Sequence, residues 1–435
     1  MNLYDYKTIV STNTEYTANI GRWRFLYESY LGGEVYRKGN YLTRYTLETD
    51  NEYNARCQET PLDNHCNSVI SVYNSFLFRN SPERKFGSLE SQPELAEFLV
   101  DSDLDGRSLN AFMREVNTWA NVFGHTWVLM SKPNINATSR AEEIEAGVRP
   151  YVSILTPLVV IDWKFERAMN GRYELVYFKY VEDVNGSTRV IKEWTTDRIT
   201  TYTVSDEDER LSDEPVIETN ELGVIPAVIC YAQRGVNRGI GISSISDIAD
   251  FQRYLYNAYS EAAQSIRLDS HPSLVTTADT SVGTGAGAII TMPENLPGEL
   301  KPYVLDFAGA SIDSILKIIE NGKTAIETMA SLGGVRATQS TAMSGVALET
   351  EFQLLNSRLA SMADNMELCE EQLWRLFCLY QNQPYTVEIM YPDSFNMRDR
   401  QREITQLKVA KETATDPAIL AEIDAKISEW IQAEI

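Results

Sequence analysis

The residue types that do chemistry are present in this sequence, but rarely at the spacing that chemistry needs. Gly322-Lys323-Thr324 supplies the end of a nucleotide-binding loop, yet the position five before Gly322 is Lys317, and the segment has helical periodicity. Gly283, Gly285 and Gly287 alternate, which is not the dinucleotide fingerprint, and no helix follows them directly. The histidines His65, His125 and His271 are scattered, and none has a partner at zinc-ligand spacing. His65 and Cys66 are neighbours, but adjacent positions on a helix point roughly 100° apart, a poor geometry for a nucleophile and its base. Ser344-Gly345 lies outside any Gly-x-Ser-x-Gly elbow. The 62 aspartates and glutamates are too many for one pair to stand out for acid–base work. We therefore expect a protein that is not an enzyme, with no catalytic residue, no metal ligand and no cofactor. The enzyme reading left is a nuclease using carboxylates and a divalent metal; metal-dependent DNA cleavage lost on a single Asp substitution would revive it.

The formal net charge of −23 argues against a protein that grips nucleic acid by neutralising phosphates, a mode that needs basic clusters. It leaves two readings: solubility, or a surface that stays close to nucleic acid without sticking to it. A length of 435 residues suggests roughly two to four domains. No apolar run approaches the roughly 20 residues of a membrane span. The polar stretch 1–17 does not read as a secretory signal. Cys57, Cys66, Cys230, Cys369 and Cys378 are never closely paired and read as reduced thiols of a cytoplasmic-type environment.

The elements that must position any function centre on residues 308–380, read as helix, loop, long helix. In the last helix Leu348, Phe352, Leu355, Leu359, Met362, Met366, Cys369, Leu373, Leu376 and Tyr380 step alternately by four and three, one apolar seam held over several heptads. A helix over 311–332 precedes it. Between them, 333–345 is too rich in Gly and β-branched residues to continue either.

Upstream, 1–60 interleaves Trp23, Arg24, Phe25, Tyr27, Tyr36, Arg37, Arg44 and Tyr45. This reads as an amphipathic arm packing on a neighbouring surface in preference to a platform for bases. Helices are expected from Pro61 over 62–77, over 91–100, and over 108–123 with Ser108 as cap and Gly124 as stop. Strands follow at 126–130, 151–155, 159–164, 173–181, 189–195, 199–204 and 226–232, with hairpin turns at Asn170-Gly171 and Asn185-Gly186. Residues 206–221 hold eight carboxylates against one Arg and read as a solvated loop. A helix capped by Ser243 or Ser244 runs to about 269, and strands at 274–277 and 288–292 form a small insertion too short to bury its own core. A short strand at 385–390 and helices over 397–413 and 417–435 finish the chain.

This order, carried by "TPLDNHCNSVISVYNSFLFRNSP" (60–82), "SLNAFMREVNTWANVFGHTWVLMSKP" (108–133), "IPAVICYAQ" with "SISDIADFQRYLYNAYSEAAQSI" (225–266) and "TAMSGVALETEFQLLNSRLASMADNMELCEEQLWRLF" (341–377), resembles the portal proteins of tailed bacteriophages. No single motif is diagnostic; the match rests on segment order and texture across most of the chain.

The resemblance implies an α+β chain with an α/β wing (1–242), two stem helices (243–270 and 308–332), a small β-containing clip (271–307), a tunnel loop (333–346), a long kinked wing helix (347–382) and a short helical crown (383–435). It implies a ring of twelve copies at one capsid vertex, through which double-stranded DNA passes without sequence-specific binding. The implied partners are the major capsid protein, the terminase large subunit and a head–tail adaptor, with no membrane. The implied location is the virion, with host cytoplasm during assembly. Val335, Arg336, Thr338, Gln339, Ser340, Thr341 and Met343 would face the DNA, where Arg336 either touches phosphate or pairs with a neighbouring carboxylate. Thr280, Val282, Thr284, Pro293, Glu294 and Asn295 would face the motor or adaptor. The alternative is a capsid- or tail-associated adaptor without a channel, its long seam pairing helices between chains.

Overall fold

The computed structural model describes residues 5–133, 142, 146–270, 273–275, 281–282, 290–291, 297–298, 303–305, 310–332, 345–392, 395 and 411. Four helices open the chain: α1 (Tyr6–Ile9), α2 (Thr14–Leu31), α3 (Gly33–Lys38) and α4 (Asp50–Glu59). Asn13 caps α2, and a Thr49/Glu52 capping box starts α4. The expected arm is here corrected. Trp23, Phe25, Leu26 and Tyr36 are buried in the main core of their own chain. Arg22 pairs with Asp250 (2.8 Å), Arg37 donates to the Thr60 carbonyl (3.4 Å) and Arg44 pairs with Asp50 (2.5 Å), while Arg24 is exposed. Burial of Trp23, Phe25 and Tyr36 takes those rings out of reach of a base.

Next come α5 (His65–Leu77), β1 (Glu83–Lys85), α6 (Pro93–Val100) and α7 (Leu109–Phe123). The α5 helix begins four residues later than Pro61 suggests, because the Asn64 side chain accepts the Asn67 amide and fixes the start there. A 3-10 turn takes Gly87–Ser91, so α6 starts at Pro93. The α7 limits match expectation: the Ser108 hydroxyl caps Ala111, and Gly124 closes the helix with φ +93°.

The strands form two main sheets. In the first, β2 (His125–Ser131) lies between β3 (Tyr151–Leu155) and β10 (Ala227–Tyr231), antiparallel to both. In the second, β4 (Val160–Arg167), β5 (Tyr173–Asn185), β6 (Thr188–Thr195) and β7 (Arg198–Ser205) pair in sequence order. The turns at Gly171 and Gly186 take positive φ, as the Asn-Gly pairs predict. Residues 206–221 are not simply a loop: β8 (Arg210–Leu211) and β9 (Val216–Thr219) both pair with β7. Charge hid these strands from the sequence pattern, since β9 is exposed along its whole length. One face of the larger sheet packs through Trp163 and Phe178 onto Trp127. The other carries a satellite core of Ile161, Ile191, Tyr202 and Val204, covered by Ile9 of α1.

Two long helices, α8 (Ser246–Ser270) and α9 (Ala310–Met329), follow. The strands between them exceed expectation. The β11 strand (Ser273–Val275) pairs with β14 (Tyr303–Leu305), and β12 (Ser281–Val282) with β13 (Ile290–Thr291). The last helix, α10 (Gly345–Tyr380), spans 36 residues, about 54 Å at 1.5 Å per residue. Its seam is buried as predicted: Leu355, Leu359, Met362, Met366, Cys369 and Leu373 are at most 5% exposed. They pack against α5, β2 and β10 of the same chain. Intermolecular pairing through this seam, expected of an adaptor, is therefore not available. Finally β15 (Glu388–Met390) pairs with β1. The expected helices 397–413 and 417–435 lie outside the described residues, apart from the single helical position Lys411.

A buried ion pair fastens α10 to this last ladder. The Glu370 carboxylate, fully buried, receives Arg84 of β1 (2.5 and 2.9 Å), the Trp374 indole (3.0 Å) and the Tyr391 hydroxyl (2.7 Å). Arg84 also donates to Asn110 of α7 (2.7 Å).

Candidate functional site

The seven residues expected to face DNA, Val335, Arg336, Thr338, Gln339, Ser340, Thr341 and Met343, lie outside the described residues. So do Thr280, Thr284, Pro293, Glu294 and Asn295 of the expected partner-facing set. Val282 falls in β12, opposite Ile290. What can be built is the pair of helices that holds both segments, and the place where that pair joins the sheets.

The helices α8 and α9 form an antiparallel rod. Leu255 lies against Gly322 partway along both helices, while Ser273 pairs with Leu305 just beyond one end. Gly322 has a packing reason: a Cβ there would come 2.5 Å from the Leu255 Cδ2 atom. Lys323 forms an ion pair with Asp63 (3.1 Å). The Gly-Lys-Thr triplet is thus a helix contact, not a phosphate loop. Ile319 and Ile326 turn into the core, but Phe251, Tyr254, Ile266, Leu316 and Ile318 are 37–52% exposed. The expected apolar face of α8 is therefore only partly covered by its own chain.

The rod meets the sheets at a dense polar junction. Ser243 donates to the carbonyls of Asn121 (3.2 Å) and Val122 (2.7 Å), and accepts the Ile245 amide (3.2 Å). This local cap explains why α8 starts at Ser246, later than the sequence suggests. Ser244 donates to Asn121, which continues to Asn117 and Asn74. Arg358 of α10 donates to the Met329 carbonyl (3.0 Å) and the Ser244 carbonyl (3.3 Å), placing one cation on the C-terminus of α9 and on the approach to α8. Beyond Met329, Ser331 takes a left-handed φ of +56°, and the Leu332 amide closes on Glu327 (2.8 Å), so α9 ends before Gly333 is reached. Sequence reasoning missed Arg358 and Asn121, because each acts on a partner distant in the chain, and it carried α9 to 332 because the turn at Ser331 has no Gly or Asn to announce it.

The junction is tightest where Gly124 and Gly241 cross. A Cβ on Gly241 would fall inside the Gly124 carbonyl oxygen, and one on Gly124 would come 2.5 Å from the Gly241 carbonyl. Beside them the Gly241 amide donates to Nδ1 of His125 (3.3 Å), whose ring is fully buried against Trp23. Burial pushes the His125 pKa down to about 3. The folded form thus resists protonation that the unfolded chain accepts near pH 6.5. This contribution is complete above about pH 6.5 and is lost as pH falls toward 3, by at most about 1.4 kcal/mol per unit. Urea unfolding at pH 7.5, 6.0 and 5.0 should record the decline, and His125→Gln should remove it above the carboxylate range.

The Cys66 thiol is buried and pushed up by desolvation, so His65 and Cys66 are no catalytic pair. All five cysteines are free and buried. Among the described residues no three His, Cys, Asp or Glu side chains converge to hold a metal ion, and no helix is long and apolar enough to cross a membrane.

No protein-family model matches this sequence, and no curated protein matches it either. Chains of solved gene transfer agent particles are among the similar structures. The neck of an empty gene transfer agent particle, computed with C6 symmetry, gives a TM-score of 0.47 at 10% identity, covering 88% of this chain and 95% of that one. The virion of the native particle gives 0.45 at 10% identity, with 90% and 98% covered. The native neck with C12 symmetry gives 0.46 at 11% identity, again with 90% and 98% covered.

Proposed function

We propose that this protein is a phage-type portal: a ring of twelve copies at one capsid vertex, through which double-stranded DNA is packaged and ejected. The observation that carries this reading is the α8–α9 rod. It leaves large apolar side chains in water on both helices, while the α10 seam is satisfied within the chain. Apolar faces of this kind are covered by neighbours, and repeated copies around an axis supply them. In this reading 1–242 and 347–382 form the wing, 243–270 and 308–332 the stem, 333–346 the tunnel loop and 383–435 the crown. The clip, 271–307, docks the terminase large subunit and then the head–tail adaptor, and the wing meets the major capsid protein.

The charge supports the same reading. Twelve copies carry on the order of −270 charges, and an acidic bore repels phosphate, so DNA slides without counterion-release binding. Electron microscopy of the purified protein tests the reading: rings are expected, and a monodisperse monomer at every salt concentration would overturn it. Deleting Thr338 to Ala342 should leave the rings intact and impair DNA packaging or retention. Loss of the rings would instead make this loop an assembly element.

A further inference from the structure

The six-stranded sheet has chemically opposite edges. At the β4 edge, the β4–β5 turn and the segment 233–239 present Arg167, Arg172, Arg234 and Arg238, all exposed. The Arg238 guanidinium lies 3.9 Å from the centre of the Tyr173 ring and 5.9 Å from that of Phe165, and Arg167 lies 4.8 Å from Tyr173. Arg167 donates to the Tyr173 hydroxyl (3.4 Å) and, with Arg238, holds it below the usual phenol range, a sign of local positive potential. Among the described residues none of these four arginines has a carboxylate at ion-pair distance. Glu166 is bonded to Lys164, and with Glu174 it faces the other side of the sheet from Arg167 and Tyr173. Met169 and Val236 stand fully exposed beside the arginines. The acid within this segment's reach is Glu15, held by Asn237 (2.7 Å) and not paired with an arginine. Arginine, tyrosine and methionine are the residues enriched at interface centres.

The opposite edge is acidic. Asp206 is taken by Arg189 and Tyr6, and Asp208 by Arg210. Glu207, Glu209, Asp213, Glu214, Glu218 and Glu221 meet no cation at ion-pair distance among the described residues. Between them Val216 and Ile217 are 59% and 53% exposed on β9, whose outer edge carries no strand among the described residues. Native proteins cover such edges. With four strand spacings between β4 and β9, the two edges stand roughly 19 Å apart. They are too distant to neutralise each other within one chain, because screening acts over about 8–10 Å. Surfaces that are complementary but lie on opposite sides of one subunit join head to tail, and that kind of contact closes into rings.

We propose that the arginine–aromatic edge of one copy, centred on Arg167, Arg172, Tyr173 and Arg238, docks on the acidic β8–β9 edge of the next. This rests on the ring reading above and names the contact that closes the ring.

The test uses the full chain and two charge-reversal variants at exposed positions: Arg167→Glu/Arg172→Glu/Arg238→Glu, and Asp213→Lys/Glu214→Lys/Glu218→Lys. Each alone places like charges on both sides of the contact, and should raise the concentration needed for rings by about tenfold or more at low salt. An equimolar mixture should return to the parental concentration, since each variant supplies the edge that the other lacks. That recovery also demonstrates that both variants fold. Assembly of either variant as readily as the parent, or failure of the mixture to recover while both melt like the parent, overturns the proposal. Loss of duplex DNA binding by the arginine variant with assembly intact overturns it too, and assigns the edge to phosphate. A parent that forms no ring sinks the portal reading alone. The edge contact is then read by sedimentation as head-to-tail association, which each variant must abolish and the mixture restore; a parent with no association sinks both.

Discussion

Glu370→Ala is expected to lower the unfolding free energy by about 3–5 kcal/mol, because it leaves the Arg84 guanidinium in the interior without its counter-charge. Four hydrogen bonds from three side chains converge on this carboxylate: Arg84 of β1, Trp374 of α10 itself and Tyr391 in the segment after β15. Burial and then the Glu370 carboxylate push the Tyr391 hydroxyl well above the usual phenol range, so it remains a donor. The truncation therefore orphans the Trp374 and Tyr391 donors as well as the Arg84 charge. The paired variant Arg84→Met/Glu370→Leu should recover most of the loss, since apolar replacement of a whole buried pair is often neutral or better. Urea denaturation of Arg84→Met, Glu370→Leu and the double gives the coupling directly. A Glu370→Ala loss below about 1 kcal/mol would mean that the pair does not fasten α10 to the β1–β15 ladder.

Gly241→Ala should be comparably severe, at about 3–5 kcal/mol, or should prevent folded protein from accumulating. The obstruction at Gly241 is the backbone of Gly124, which no rotamer change relieves, and Gly124 is itself held at φ +93°. Both residues sit where α8 leaves the sheets, and the Ala232 amide bonds the Gly124 carbonyl between them (2.9 Å). Gly21→Ala is the control. Gly21 lies inside α2 with no atom within 4 Å of the added Cβ, so alanine there should stabilise by up to about 1 kcal/mol. Thermal unfolding of the two variants beside the parent should show shifts of opposite sign. Equal shifts would remove the crossing as the constraint on how α8 departs.

Much of the fold was legible because it is local. Ser108 and Gly124 bound α7, Asn-Gly pairs turn two hairpins, and the four-three steps of the α10 seam read straight from the sequence. The errors lie where a distant partner decides. Nothing near residues 1–60 announces that Trp23 packs on His125 or that Arg22 pairs with Asp250. The β8 and β9 strands exist because β7 offers them an edge, against a charge pattern that favours water. The candidate site divides in the same way: the rod was visible as periodicity, but the junction was not. Ser243 was legible as a cap, but Asn121, Gly241 and Arg358 are ordinary residues whose roles appear only when three segments cross.

The Arg84–Glu370 pair also has a consequence in time. The two residues are 286 positions apart. At about 5–20 residues per second, a ribosome delivers the second some 15–60 s after the first. Through that interval the faces of α5 and β2 that α10 will cover have no partner in the growing chain. Nascent chains emerging side by side from one messenger thus present sticky, unfinished surfaces to each other. Protection of that interval, by a holding chaperone or by wide spacing of ribosomes, should raise the yield of folded protein.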